Sequence, residues 1–200
     1  MNRQQNINQL LELPLSERPQ ALAELVHEFQ KDKSGAKYID HPRRVAENSR
    51  LLARLLNLDR SYSDSAVAIA WLHDVIEDSE DQPFGAVTAT NLEELGISVE
   101  IIAAVLLLTR VPGERDKDAY YHRINENNLA RLVKIADIAD NRNLERRAEL
   151  GASEAAYFER KYGHALDLMN LNQIEQAFYQ KRIQLPTLLD EPSEAELLGL

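Results

Sequence analysis

Apolar residues recur along the chain at intervals of three and four, with few alternating runs, which is the period of amphipathic helices rather than of strands. Leu22, Leu25, Val26 and Phe29 form one stripe and predict a helix over about 17–31. Val45, Ser49, Leu52, Leu55 and Leu56 form a second, over about 42–57. Pro42 suits the first position of that helix and holds His41 just outside it. A third helix, capped by Ser63 or Asp64, is predicted over about 64–78. Further segments follow at about 90–95, 98–109, 116–126, 128–145, 153–170 and 171–182, with Gly96 and Gly151 as breaks. Gly and Pro number only seven each. The pattern predicts an all-α bundle of roughly eight to ten helices, with no internal repeat or linker. Residues 1–16 read as an N-terminal extension, 17–182 as one domain, and 183–200 as a loosely held tail with Asp190, Glu191, Glu194 and Glu196 and no basic residue after Pro186.

At 200 residues and 44% hydrophobic content the chain can bury a sizeable core. No apolar run approaches the ~20 residues of a spanning helix, and Met1 to Gln9 does not read as a secretory signal. The net charge of −10 opposes binding to nucleic acid or an anionic membrane. Cysteine is absent, so disulfides and thiolate metal sites are excluded, a cytoplasmic setting is favoured, and any metal site must use His, Asp and Glu.

The third helix carries the strongest chemical signal. From Ala66 to Leu72 it is apolar all the way round, the mark of a buried helix. It then becomes His73-Asp74-Val75-Ile76-Glu77-Asp78, with His73 and Glu77, and Asp74 and Asp78, each four apart. On a continuous helix these four ionisable groups share one side, and burying them demands a cation. The bland alternative is a helix running out into solvent. A second signal lies at Asp137 and Asn141, one turn apart on the apolar row of Ala130 and Val133; alone, Asp137 reads more simply as an ion-pair or capping residue. A third is Tyr38-Ile39-Asp40-His41-Pro42, where His41 alone reads as a capping residue. Together they supply His41, His73, Asp74 and Asp137, two imidazoles and two carboxylates. Such a set suits Mn²⁺, Fe²⁺, Co²⁺, Mg²⁺ or Zn²⁺ and leaves positions open for water and a substrate oxygen. His27, His122 and His164 lack this setting and take ordinary core or surface roles.

The separated H…HD…D pattern of His41, His73-Asp74 and Asp137 resembles the HD superfamily of metal-dependent phosphohydrolases. The segments HEFQKDKSGAKYIDHPRRVA (27–46), AIAWLHDVIEDS (68–79) and LARLVKIADIADN (129–141) resemble more narrowly the hydrolase domain of RelA/SpoT homologues and their small single-domain relatives. The resemblance spans about residues 20–170. It implies an HD-type helical bundle that removes the 3′-pyrophosphate of guanosine 3′,5′-bis(diphosphate)-like alarmones, with Mn²⁺ as the metal and a small-molecule nucleotide as partner. It implies that His41, His73, Asp74 and Asp137 hold the metal, that Glu77 and Asp78 position or deprotonate the attacking water and assist the leaving group, and that Asn141 touches the nucleotide. Lys33, Arg44 and Lys134 lie near these blocks and are candidates to hold phosphate, against the bland reading of solvated charges. Two positions depart from the family pattern. Asp32 stands where an arginine meets the guanine base, and Asp140 stands where an aromatic or His precedes the Asn. An acid at 140 disfavours an anionic ligand if it points inward. The departures favour the alternative of another nucleotide or phosphate ester; a non-catalytic nucleotide- or metal-binding module is the reading from a different class.

Overall fold

A computed structural model describes residues 3–33, 35–148 and 150–184. The described residues form helices α1 (Arg3–Glu12), α2 (Arg18–Val26), α3 (Asp40–Leu55), α4 (Arg60–Leu72), α5 (Val75–Asp78), α6 (Ala89–Glu94), α7 (Val99–Leu108), α8 (Lys117–Asn125), α9 (Asn128–Asn141), α10 (Leu144–Ala148), α11 (Ala152–Met169) and α12 (Gln173–Arg182). A short 3₁₀ turn, Ser79–Asp81, follows α5. No strand occurs among the described residues, and one isolated bridge pairs Lys31 with Lys37. The all-α expectation holds; the segments beyond the expected number are short ones, such as α5 and α10. Of the tail expected over 183–200, Ile183 caps α12, packs against the core and accepts from the Leu144 N–H at 2.9 Å, while residues from 185 onward, the acidic ones among them, lie outside the described residues. None of the described helices is long and apolar enough to cross a membrane.

α3, α4 and α9 form the centre, each packed on the other two. The stripe read from α3 is buried at Val45, Ser49 and Leu52. α4 is sealed at Ile69, Ala70, Trp71 and Leu72, and α9 from Leu132 to Asp140. Each fully buried Leu or Ile contributes about 1.5–3 kcal/mol. Ala46 and Ala53 on α3, Ala66 and Ala70 on α4, and Ala136 and Ala139 on α9 are all buried, and small side chains at contacts let helix axes approach closely. α3 and α4 are joined by only 56–59, where Asn57 takes a left-handed φ of 54°, so they run as an antiparallel pair. The start of α3 therefore meets the end of α4. Leu10 of α1 also reaches the core, at 2% exposure.

The helix expected over about 17–31 ends at Val26, leaving Phe29 of its stripe exposed, and the one expected over about 128–145 ends at Asn141. Three further differences from the sequence pattern bear on chemistry. α3 begins at Asp40, so His41 lies inside its first turn; Pro42 is tolerated there because first-turn N–H groups have no intrahelical partner. α4 is capped by Asp59, whose side chain accepts from the Tyr62 N–H at 2.8 Å, one turn before the predicted cap. Most consequential, the helix through 64–78 is broken: α4 ends at Leu72, His73 is its C-cap, and Asp74 starts the separate turn α5.

Candidate metal centre

The break places His73 and Asp74 at the end of α4, facing the start of α3 and the last turns of α9. His41 and His73 are buried, at 4% and 3% exposure, with ring centroids 5.3 Å apart. The Nδ1 of His73 lies 2.7 Å from the carbonyl of Ala70 and must donate to it, since a carbonyl only accepts. The Nδ1 of His41 likewise donates to the Oδ2 of Asp140 at 2.7 Å. Both imidazoles are thereby left with Nε2 turned toward the same point.

Around that point the donor atoms converge. His73 Nε2 is 2.9 Å from Asp74 Oδ2 and 4.0 Å from Asp137 Oδ1. His41 Nε2 is 3.8 Å from Asp74 Oδ2 and 3.3 Å from Asp137 Oδ1. His73 Nε2 is buried and has no hydrogen bond. A neutral imidazole so fixed points a lone pair at a carboxylate, an arrangement that a proton or a metal cation between them makes favourable. Metal–ligand bonds of about 2.1 Å separate neighbouring ligands by about 3.0 Å and opposite ones by about 4.2 Å. The observed separations span that range, and His41, His73 and Asp74 each offer one atom within 4.8 Å of the others. The donor set therefore fits a divalent ion.

The remaining lone pairs are satisfied from outside the cluster. Tyr38 O–H donates to Asp74 Oδ2 at 2.5 Å. Burial, with Asp74 and Asp78 nearby, pushes the Tyr38 hydroxyl far above its ordinary pKa, so it stays a donor. Lys134 donates to Asp137 Oδ2 at 2.7 Å and Asn141 to Asp137 Oδ1 at 2.5 Å. Burial opposes the charge on Asp137, but Lys134 and the imidazoles hold its carboxyl well below the usual range. Burial likewise opposes protonation of His73, yet Asp74 lifts it to about 9. Metal binding must displace such protons, so affinity falls with acid.

The cluster opens into a cavity of about 610 Å³. Every predicted site residue except His73 lines it: His41, Asp74, Glu77, Asp78, Lys134, Asp137 and Asn141 on the inner wall, and Lys33 and Arg44. Glu77 accepts from the Arg110 backbone N–H at 3.0 Å, and Asp78 from Gln30 Nε2 at 2.8 Å. Burial and Asp74 raise the pKa of Asp78. Lys33 is exposed and paired with Glu154 at 2.6 Å. Lys134 is a buried counter-ion of Asp137, and Arg44 gives two of its donors to Asp140, at 2.6 and 3.2 Å. Asp32 lines the cavity, with Oδ1 accepting from the Ala36 N–H at 3.0 Å and Oδ2 lying 3.7 Å from Arg146. Asp140 is buried among His41, Arg44 and Arg146, so its charge is matched there.

Sequence reasoning did not single out Tyr38, Arg110, Arg146, Lys161 or Tyr162 for roles in the site. Tyr38 stands one turn before His41, a spacing that could have flagged it. Arg110, Lys161 and Tyr162 come from the segment after α7 and from α11, and no local pattern marks them. Neither Arg110 nor Lys161 has a carboxylate of the described residues within ion-pair distance; Arg110 lies over the Tyr120 ring and Lys161 beside Tyr162.

A family model described as HD domain matches residues 38–142. The fold is similar to a solved structure of a metazoan orthologue of SpoT, described as hydrolysing ppGpp and playing a role in starvation responses. The two are 18% identical, with a TM-score of 0.62 over 85% of this chain and 94% of that one. No curated protein matches the chain.

Proposed function

The chain belongs to the HD domain family of metal-dependent phosphohydrolases, and we propose that its substrate is a guanosine 3′,5′-bis(diphosphate)-like alarmone from which it removes the 3′-pyrophosphate. One observation carries this reading: the donor cluster and a set of cations with no carboxylate partner among the described residues, Arg110, Lys161 and Lys31, line a single cavity. A substrate with phosphate at both ends uses both. The apolar walls at Leu108, Tyr120 and Phe158 suit the nucleoside between them.

In this reading His41, His73, Asp74 and Asp137 hold the metal, with Mn²⁺ the first candidate. A divalent ion bound there supplies Lewis acidity toward a phosphoryl oxygen and acidifies the attacking water. Glu77 receives the proton of that water as its oxygen attacks the phosphorus bonded to the 3′-oxygen. That P–O bond breaks, and Asp78, whose pKa is raised by burial and Asp74, returns a proton to the leaving 3′-oxygen. Pyrophosphate and the nucleoside 5′-diphosphate result. Asn141 turns the Asp137 carboxylate and meets the nucleotide, while Lys33, Arg44 and Lys134 add positive charge along the wall. Purified protein with Mn²⁺ is expected to release pyrophosphate from the alarmone. Orthophosphate from another nucleotide in a panel, with none from the alarmone, defeats the substrate assignment and leaves the chemistry standing. Asp32, an acid on the cavity wall, favours that second reading.

Lys161 gives a separate check on the phosphate-binding wall. Burial, with Arg110 and Lys134 nearby, brings its pKa down to about 8. Below that pH it is charged and binds phosphate; above it the charge is lost, so KM is expected to rise as pH passes through about 8. Lys161→Arg, charged throughout, flattens that rise. Lys161→Ala raises KM about 10-fold or more, the worth of one charge-assisted hydrogen bond, with little change in kcat. A KM independent of both substitution and pH excludes Lys161 from binding.

A further inference from the structure

His41 is gripped between two carboxylates of one helix. Asp137 and Asp140 stand three apart on α9. Asp137 Oδ1 lies 3.3 Å from Nε2, on one edge of the ring, and Asp140 Oδ2 lies 2.7 Å from Nδ1, on the other. Asp140 is 3% exposed and does not line the cavity. Its Oδ1 accepts from Arg44 Nε at 2.6 Å, and its Oδ2 accepts from Arg44 Nη2 at 3.2 Å and from Arg146 Nη1. Two guanidiniums already satisfy one buried carboxylate, so the bond to His41 exceeds what an ion-pair network requires. His73 is oriented differently, by the neutral backbone carbonyl of Ala70. An anionic acceptor fixes the ring and also raises the donor strength of the opposite nitrogen.

We propose that Asp140 is a positioning residue that fixes His41 with its proton on Nδ1 and its Nε2 lone pair aimed at the metal, and that Arg44 and Arg146 hold the Asp140 carboxylate in place for that task. The inference rests on reading His41 as a metal ligand. It converts an acid that the sequence pattern marks as a departure into a working part of the site. Asp140→Asn keeps the shape but removes the charge. Its amide can also turn to donate to Nδ1, which moves the imidazole proton to Nε2, where it blocks coordination.

The test is calorimetric titration of the full chain with Mn²⁺ alone. Asp140→Asn is expected to bind about 10–100-fold more weakly than wild type. Glu175→Gln, which breaks the buried Arg131–Glu175 pair elsewhere, is expected to lower Tm and leave Mn²⁺ affinity unchanged. Wild type that binds no Mn²⁺ overturns the metal reading of the site and this inference with it. Wild type that binds, beside an Asp140→Asn variant within about threefold of it, overturns the role of Asp140 alone. A measurement on wild type needs no variant to fold: ¹⁵N spectra of histidine-labelled, Zn²⁺-loaded protein are expected to show His41 protonated on Nδ1 and metallated on Nε2. The reverse assignment overturns the proposal.

Discussion

Replacing His73 with alanine is expected to lower kcat by about three orders of magnitude at saturating Mn²⁺, and to reduce the metal retained per chain. The bound ion contributes several kcal/mol of stabilisation to a phosphoryl-transfer transition state. Losing about 4 kcal/mol of that corresponds to about 10³-fold, at 1.36 kcal/mol per factor of ten. His73 is the sharpest choice because its Nε2 is buried, lies 2.9 Å from Asp74 Oδ2 and offers a lone pair to a metal once its proton is displaced. The substitution costs one local hydrogen bond, to Ala70 within the same helix end, so the bundle is expected to fold. His164→Ala is the control. That ring sits on the surface beside Asp118, and its loss is expected to leave kcat within about twofold. Steady-state kinetics with metal analysis of both variants decides the matter. A His73→Ala enzyme with wild-type kcat excludes His73 from the metal site.

The chemistry-bearing residues were legible in the sequence because their setting was unusual, while their geometry was not. An apolar stretch from Ala66 to Leu72 that runs into His73-Asp74 can be read from the sequence alone, as can an Asp on the buried row of α9. The row argument assumed one continuous helix through Asp78, however. His73 ends α4, with its ring bonded to Ala70, and Asp74 begins a new turn, a break no propensity marks. Asp140 looked hostile to an anionic ligand because one neutralising partner, Arg44, lies 96 residues away in sequence and the other, Arg146, sits beyond the end of α9 on the next helix. Arg110 and Lys161 belong to segments with no motif, and only the packing of α7, α8 and α11 around the cavity brings them to the site. Lys134 is the instructive intermediate. Read as a candidate phosphate-binding residue, it stands three residues before Asp137 on the same helix, a spacing that already permits the ion pair observed.

That pair supports the second large effect. Lys134→Met keeps the length of the side chain and removes its charge, and is expected to lower stability by about 3 kcal/mol, the lower end of the cost of breaking a buried pair. The lower end applies because Asn141 and His41 still face Asp137. For a chain of this size the loss corresponds to a fall in Tm of about 6–12 °C. The pH dependence has a definite sign. Lys134 and the imidazoles hold the Asp137 carboxyl below its ordinary pKa, so the pair stabilises above the ordinary aspartate range and is lost as pH falls through the folded value. The gap between variant and wild type therefore narrows in acid. Mn²⁺ narrows it as well, because a cation on Asp137 replaces the charge that Lys134 supplied, and a ligand at 100 times its Kd adds about 2.7 kcal/mol to a folded state. Thermal denaturation of both proteins with and without Mn²⁺ separates the two uses of Asp137. A gap that Mn²⁺ leaves unchanged means that Asp137 serves the fold alone, whereas a gap that closes means that the carboxylate Lys134 neutralises is the one the metal uses.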